Sequence, residues 1–479
     1  VFLFLFAVVG ISVAEEMKRE IPQPQVDERV ELLGIVYRLA GASEYQCDSF
    51  KEYDDAINRH FAPFKNHPVV LVAKVSRSTT GIGYNAVVDY AIHLSIENGR
   101  VIFPGEDSEI TLEKLEPRWN RQTARHFAKQ LDDFYVKSRF HEFFESHREV
   151  YQKIEQQIKT INDKIDYAWY KRFYGDANLE HFHVILNCTS ENNGYGARCR
   201  FRDGHEEFFA ILGVNGPEAV YREDGFIAWT IHEFNHSFCN PLVEKHLDDL
   251  KPAAERVWPF VGGMMTRQAY PEPKFMLNEY LVRACEIHYL RHHGNKNEAD
   301  LRLQHYRSLG FLWIEELVAL LDRYEKERDK YPTLDDFMPE IVNMQNALVT
   351  DEYISRLQKR EEDRPKITAL NPPNGAKDVD PGITEISVTF DRPMNGGMSW
   401  CSKDGHATFP TRKPVPAIWS DDRLTCTLGE ITLEPGKTYN IWLNTDTIDD
   451  FRSTDNIPLK PVHYTFTTRA EATETKEIE

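Results

Sequence analysis

The chain has 479 residues, 41% of them apolar, 28% charged and 12% aromatic, a composition that suits two or three soluble globular domains. Its formal charge of −19, with no Lys/Arg-rich run, excludes sequence-independent nucleic-acid binding, which needs a positive surface to displace phosphate counterions. After the first residues no segment is long and apolar enough to span a bilayer.

The run from Val1 to Ala14 is apolar throughout, ends in the small residues Ser12 and Ala14, and is followed by Glu15-Glu16. It reads as a signal peptide, residues 1–14, whose basic n-region would precede Val1. At 1.5 Å per residue it reaches about 21 Å, short of a bilayer's roughly 30 Å core. No Cys follows, so a lipoprotein anchor is not expected. The mature chain is expected to be secreted, periplasmic or held at the cell surface.

Residues 15–363 are predicted to form one α+β, mostly helical domain. Arg121–Phe140 and Glu142–Ile165 place apolar residues at three- and four-residue spacings, as amphipathic helices do. Val69–Val75, Ala86–Ile96, His181–Leu186 and Phe208–Val214 are short, apolar and rich in β-branched or aromatic residues, and are predicted strands. The last two lie on either side of an Asn193-Gly194 turn signal and are expected to pair antiparallel. Phe208–Val214 is a candidate sheet edge for an extended peptide. Helices are predicted from Phe226 to about Arg360. Of seven cysteines, Cys188 with Cys199 and Cys401 with Cys426 are candidate disulfides, while Cys239 and Cys285 read as buried thiols.

His232-Glu233-Phe234-Asn235-His236 carries the chemistry. Two His four apart on a helix project from one face within reach of one ion. Glu233 then falls beside that ion, placed to take a proton from metal-bound water. Asp224 or Gly225 can cap this helix, Phe226, Ile227, Thr230, Ile231 and Phe234 give it a core-facing side, and Pro241 should end it near Asn240. A metzincin would have Gly three residues and His six residues after His236, where this chain has Cys239 and Leu242. His246 lies past the predicted break.

Farther on, Asn278-Glu279 opens another apolar-faced helix. With it, the chain resembles the gluzincins, meaning the thermolysin-like peptidases and zinc aminopeptidases, and a family of secreted bacterial H-E-x-x-H proteins. The resemblance covers two short motifs and their order. It implies a zincin-like catalytic domain in which His232, His236 and Glu279 hold Zn2+ and Glu233 is the general base of peptide-bond hydrolysis. Glu286, seven residues along the same helix face, is the alternative third ligand. The family has an Asp four residues after its ligating Glu, orienting a bound His; this chain has Arg283, placed to bond both Glu279 and Glu286. The aminopeptidase motif Gly-x-Met-Glu-Asn is absent, which favours an endopeptidase. Tyr280, His288, His305 and Tyr306 are candidate oxyanion donors, none singled out. A peptide or protein is the expected substrate. The alternative is a zinc-site binding protein or degenerate peptidase displayed at a surface. A glycan-cleaving enzyme would need paired carboxylates, for which nothing in the sequence speaks.

At Arg364-Pro365 the pattern changes. Residues 364–470 hold short predicted strands, Ile383–Phe390, Leu424–Thr427, Thr438–Leu443 and Val462–Phe466, divided by Pro-Pro-Asn-Gly, Asp-Gly and Pro-Gly turns, and read as an all-β sandwich. The stretch from Ile367 to Met394, with its Asn-Gly-Ala and Phe-x-x-Pro-Met signatures, resembles bacterial Ig-like modules. That implies a spacer, or a contact module for a cell surface or matrix. Residues 471–479 form an acidic tail, expected to be disordered.

Overall fold

The structure is a computed structural model that describes residues 22–46, 49–175, 181–191, 193–216, 218, 221–402, 408–445 and 448–470. The apolar run of residues 1–14 and the tail of residues 471–479 lie outside the described residues. The chain forms two compact units. The first is the chain to Glu255 together with Met265–Ala347; the second is Arg256–Met264 with the chain from Leu348 onward.

A four-stranded sheet organises the first unit. It is built from β1 (Gln25–Val26), β2 (Phe182–Asn187), β3 (Gly194–Arg200) and β4 (Glu206–Gly213) in the order β1-β2-β4-β3. β1, β2 and β4 run parallel, and β3 alone is antiparallel, at the edge beside β4. β2 and β4 are thus parallel, not an antiparallel pair, because β3 occupies the stretch read as a turn. β4, the predicted edge for a peptide, is central and cannot take one. Cys188 and Cys199 are separate buried thiols, since β4 separates the strand before Cys188 from the one carrying Cys199.

Two predicted strands are helices. Pro68–Thr80 has proline in its first turn, where a missing N–H costs nothing, and ends on Gly81 at φ 68°, a left-handed cap that glycine adopts freely. Its apolar residues divide between a buried side (Val69, Val70, Ala73) and exposed Leu71 and Val75. Asn85–Ile92 is buried on every side except at Asn85, so it carries no polar face to betray its period. The predicted helices over 121–140 and 142–165 are Arg121–Lys137, Phe140–Ser146 and Arg148–Asn162.

Beyond the sheet the chain is helical. The elements used below are α1 (Glu28–Leu39), α2 (Glu223–Lys245), α3 (Pro273–His292), α4 (Lys296–Ser308) and α5 (Ile314–Lys326). α2 lies on the sheet face formed by Phe182 and Phe208, whose rings meet Phe234 and Phe238 at 4.9 and 4.8 Å. Asn235, fully buried, joins α2 to α3 by donating to the Val282 carbonyl at 3.3 Å. α2 passes through Pro241 instead of stopping before it. Proline withholds the N–H that would bond the Ser237 carbonyl, and the Arg198 guanidinium donates to that oxygen at 3.3 Å instead. The helix begins at Glu223 with Arg222 at its N-cap, so Asp224 and Gly225 lie inside its first turn and neither caps it. No described helix is long and apolar enough to cross a membrane.

The second unit contains an all-β region of two four-stranded sheets. One orders Ile418–Trp419, Thr425–Leu428, Ile386–Phe390 and Ile367–Asn371; the other orders Trp400–Cys401, Thr438–Leu443, Val462–Thr468 and Ala376–Val379. Alternate side chains such as Ile386, Val388, Phe390, Tyr439, Ile441 and Leu443 form its core. Cys401 and Cys426 lie in different sheets and do not bond to each other.

Candidate metal centre

The four-residue spacing on α2 brings the His232 and His236 rings to 5.0 Å, edge to face. Glu279, in the second turn of α3, reaches both. One carboxylate oxygen lies 3.6 Å from His232 Nε2 and the other 3.5 Å from His236 Nε2. Four ligands about 2.1 Å from one ion sit about 3.4 Å apart at the corners of a tetrahedron, so these spacings suit a zinc-sized centre. His232, His236 and Glu279 are one of three groups of metal-ligating side chains that converge among the described residues.

Both imidazoles are held in the tautomer that leaves Nε2 open. His232 Nδ1 donates to Glu286 at 2.9 Å, and His236 Nδ1 donates to the Asn240 side-chain oxygen at 3.3 Å. Burial, acting against the Glu279 charge, holds the His236 pKa down to about 4, so its ring is neutral. His232 behaves oppositely. Burial depresses its pKa, but the Glu286 hydrogen bond and the surrounding carboxylates outweigh burial and raise it.

Glu286 therefore stands behind His232 and not among the converging ligand atoms. It is fully buried, and Arg302 and Tyr306 on α4 hold it at 2.8 and 3.0 Å. Burial raises its pKa, but Arg302 and His232 bring it down to about 2. Of the two carboxylates Arg283 bonds Glu279, at 3.0 Å, and it also donates to the Tyr270 hydroxyl at 3.0 Å, with its guanidinium over the Tyr306 ring. Burial opposes ionisation of Glu279, and Arg283 with the two His overcomes it, keeping this carboxyl ionised. His246 is away from the centre and pairs with Asp335 at 2.9 Å.

Glu233 sits one residue past His232 and accepts from Trp229 Nε1 at 3.1 Å. Burial lifts its pKa to about 7, with His232 opposing and Glu279 adding to the rise. It opens on a cavity of about 800 Å³ lined also by His232, His236, Glu279, Trp229 and Tyr270. Of the candidate oxyanion donors only Tyr306 lines this cavity; Tyr280 stacks on Trp313 at 4.5 Å and His288 packs on Phe173. Tyr195 and Tyr270 also line it, and sequence reasoning passed over both because each lies in a segment without helical period.

β3 forms one wall. A Cβ on Gly196 would lie 2.0 Å from the Glu233 carbonyl oxygen, and one on Gly194 2.3 Å from Glu233 Oε1 and 2.1 Å from Trp229 Nε1. Only glycine at these two positions lets the strand lie this close to α2. Gly213 N–H donates to the Asn193 carbonyl and Thr111 N–H to the Arg200 carbonyl, at 2.9 and 2.8 Å. By antiparallel alternation, the N–H and C=O of Gly194, Gly196 and Arg198 then point outward from the sheet, with no partner strand among the described residues.

A family profile described as "Domain of unknown function (DUF4932)" matches residues 24–344. The chain belongs to the DUF4932 family. A second profile, the bacterial Ig-like domain, matches residues 361–468, so an N-terminal, mostly helical domain precedes an all-β Ig-like one. Among curated proteins nothing matches. Two solved structures, surface layer protein SbsC domains 1-6 and S-layer protein rSbsC(31-844), align over 84% of this chain at 17% and 16% identity. The chain spans 46% of each, and a TM-score of 0.16 in both cases is too low to carry any argument about fold.

Proposed function

We propose that the DUF4932 domain is a zinc-dependent peptidase of gluzincin type. The observation that carries this reading is the convergence of His232, His236 and Glu279, each offering a ligand atom, with each Nδ1 occupied by its own acceptor and Glu233 facing the same open cavity. The donor set of two imidazoles and one carboxylate, with a side open to the cavity, suits Zn2+ in a catalytic role. When bound, the metal would make water acidic enough to ionise near pH 7 and would polarise a carbonyl.

The chain's own groups divide the remaining work. Glu233 holds the proton taken from the attacking water and delivers it to the leaving amine, a task suited to a carboxyl poised near neutrality. Trp229 fixes the Glu233 carboxylate. Glu286 and Asn240 lock the two rings. An extended peptide lies along the outer edge of β3, bonding to the N–H and C=O of Gly194 and Gly196 beside Glu233. A substrate held by its backbone in this way favours internal cleavage over removal of a terminal residue. The Ig-like domain and the apolar first residues support work outside the cytoplasm, at or near a cell surface.

The test is zinc content with turnover of an unfolded protein substrate, wild type against Glu233→Gln. The variant is expected to keep its zinc and lose at least 100-fold in rate; metal-dependent cleavage surviving in it would overturn the reading. Arg283 favours a second reading, a zinc-site binding protein without turnover, because its contact with Glu279 draws charge from the third ligand. Wild-type chain that holds zinc but cleaves none of a varied set of unfolded proteins and peptides would favour it.

A further inference from the structure

α3 repeats the arrangement of α2 at its other end. His288 and His292 stand four apart on it, and Asp322 faces them from α5. One Asp322 oxygen lies 3.6 Å from His288 Nε2 and 3.3 Å from His292 Nε2, and the three ligand atoms converge as a group. These are again the edge lengths of a tetrahedron with bonds of about 2.1 Å. The first centre is a separate place. Glu279 lies nine residues earlier on the same helix, about 13 Å away at 1.5 Å per residue.

An ordinary ion pair does not account for this group. The His288 ring is 1% exposed, packed against Phe173 at 5.1 Å, and neither of its nitrogens makes a hydrogen bond. A buried polar atom left without a partner costs about 1–3 kcal/mol, so the Nε2 that faces Asp322 calls for a partner. This Nε2 stands 3.6 Å from Asp322, beyond hydrogen-bond reach, and keeps a lone pair for a metal.

We propose that His288, His292 and Asp322 form a second site for a divalent transition ion of the Zn2+ class, clamping α3 to α5. Two imidazoles and one carboxylate select zinc, cobalt or nickel over Mg2+ and Ca2+, which prefer oxygen ligands. His292 and Asp322 are 47% and 37% exposed, so the ion would enter from solvent and keep a fourth position for water. Its role would be structural, fixing the end of the helix whose other half carries Glu279 and Glu286.

The test uses the full chain stripped of metal and titrated with Zn2+, counting equivalents at equilibrium. His292→Ala alters a half-exposed side chain and is expected to fold as wild type does. It should bind one equivalent fewer and lose part, not all, of the zinc-dependent rise in melting temperature, because the centre at His232, His236 and Glu279 is intact. Asp322→Asn should weaken the same equivalent at least tenfold. In a chain carrying His232→Ala and His236→Ala, the equivalent lost through His292→Ala should still be present, which separates this site from the proposed catalytic one. A folded His292→Ala chain that binds as many equivalents as wild type, with the same affinity, would overturn the proposal.

Discussion

His232 is bonded through Nδ1 to Glu286, a fully buried carboxylate 54 positions away on a different helix, at 2.9 Å. Its place on α3 is seven residues after Glu279, whereas the gluzincin pattern puts the orienting carboxylate four residues after. An α-helix returns to the same face at seven as well as at four, and the longer Glu side chain at the later position meets the ring from behind. Arg283, at the position the family pattern gives to Asp, serves the ligand Glu279 instead.

Glu286→Ala should leave His232 free to turn and Arg302 with Glu298 and Tyr306 as its remaining partners, and zinc affinity should fall about 10–100-fold. Glu286→Gln, which keeps an acceptor for Tyr306 and His232 but loses the charge, should fall less. Competition with a chromogenic chelator measures both. Equal affinity in Glu286→Ala and wild type would remove the orienting role.

Two glycines on one strand should answer differently to the same added methyl. At Gly196 the new Cβ meets main-chain atoms of α2, which cannot yield, so Gly196→Ala should cost about 1–3 kcal/mol or more and disturb the centre as a whole. At Gly194 it meets the ends of the Trp229 and Glu233 side chains, which can rotate. Gly194→Ala should therefore fold and bind zinc while losing most of its turnover. Thermal melting, zinc content and rate together separate the two.

Arg198 and Pro241 should be coupled. With Arg198→Met the Ser237 carbonyl loses its guanidinium donor, a loss of about 1–3 kcal/mol. Pro241→Ala restores the helical N–H, so Arg198→Met should cost less in that background. A double-mutant cycle read by denaturant melts should give a coupling of about 1 kcal/mol; strict additivity would show that the arginine is not replacing the missing N–H.

Glu31 on α1 makes stability depend on pH. It is buried, accepts from the Tyr53 hydroxyl and the Cys188 N–H at 2.6 Å each, and burial raises its pKa to about 7 from 4.5. Between those values the folded chain holds a proton that the unfolded chain has lost. The contribution of Glu31 is therefore full below about pH 4.5 and falls as pH rises through 7, by an amount on the order of 3 kcal/mol. Asp89, pushed by burial to about 8, adds a slope of the same sign. Glu31→Gln should flatten the fall in melting temperature between pH 5 and 8 without abolishing it; identical profiles would refute the assignment.

Much of the plan is legible from local pattern. The four-residue spacing of His232 and His236 needs only a helix, and the Asn-Gly and Pro-Gly turns after Arg364 need only short strands. What escapes is set by distant partners. Val69–Val75 looks like a strand because its residues are β-branched, yet Pro68 and Gly81 mark the two ends of a helix. Asn193-Gly194 reads as a turn, and Gly196 draws no reading, because nothing local shows that α2 presses against this strand. Pro241 reads as a stop because the arginine that satisfies Ser237 is 39 residues away. Glu286 reads as a spare ligand because only the fold reveals which side of His232 it meets.

The segment Glu109–Thr111 crosses the far end of β3, taking up the Arg200 carbonyl and the Arg202 N–H. It acts as a stop on a ruler. From Gly194 to Arg198 the open edge measures about 14 Å at 3.4 Å per residue, room for about four or five extended residues before a bound chain must turn away. A partner offers such a length of bare backbone from a terminus, a long loop or an edge strand of its own, so this edge would choose its partner by unpaired backbone and not by side-chain shape.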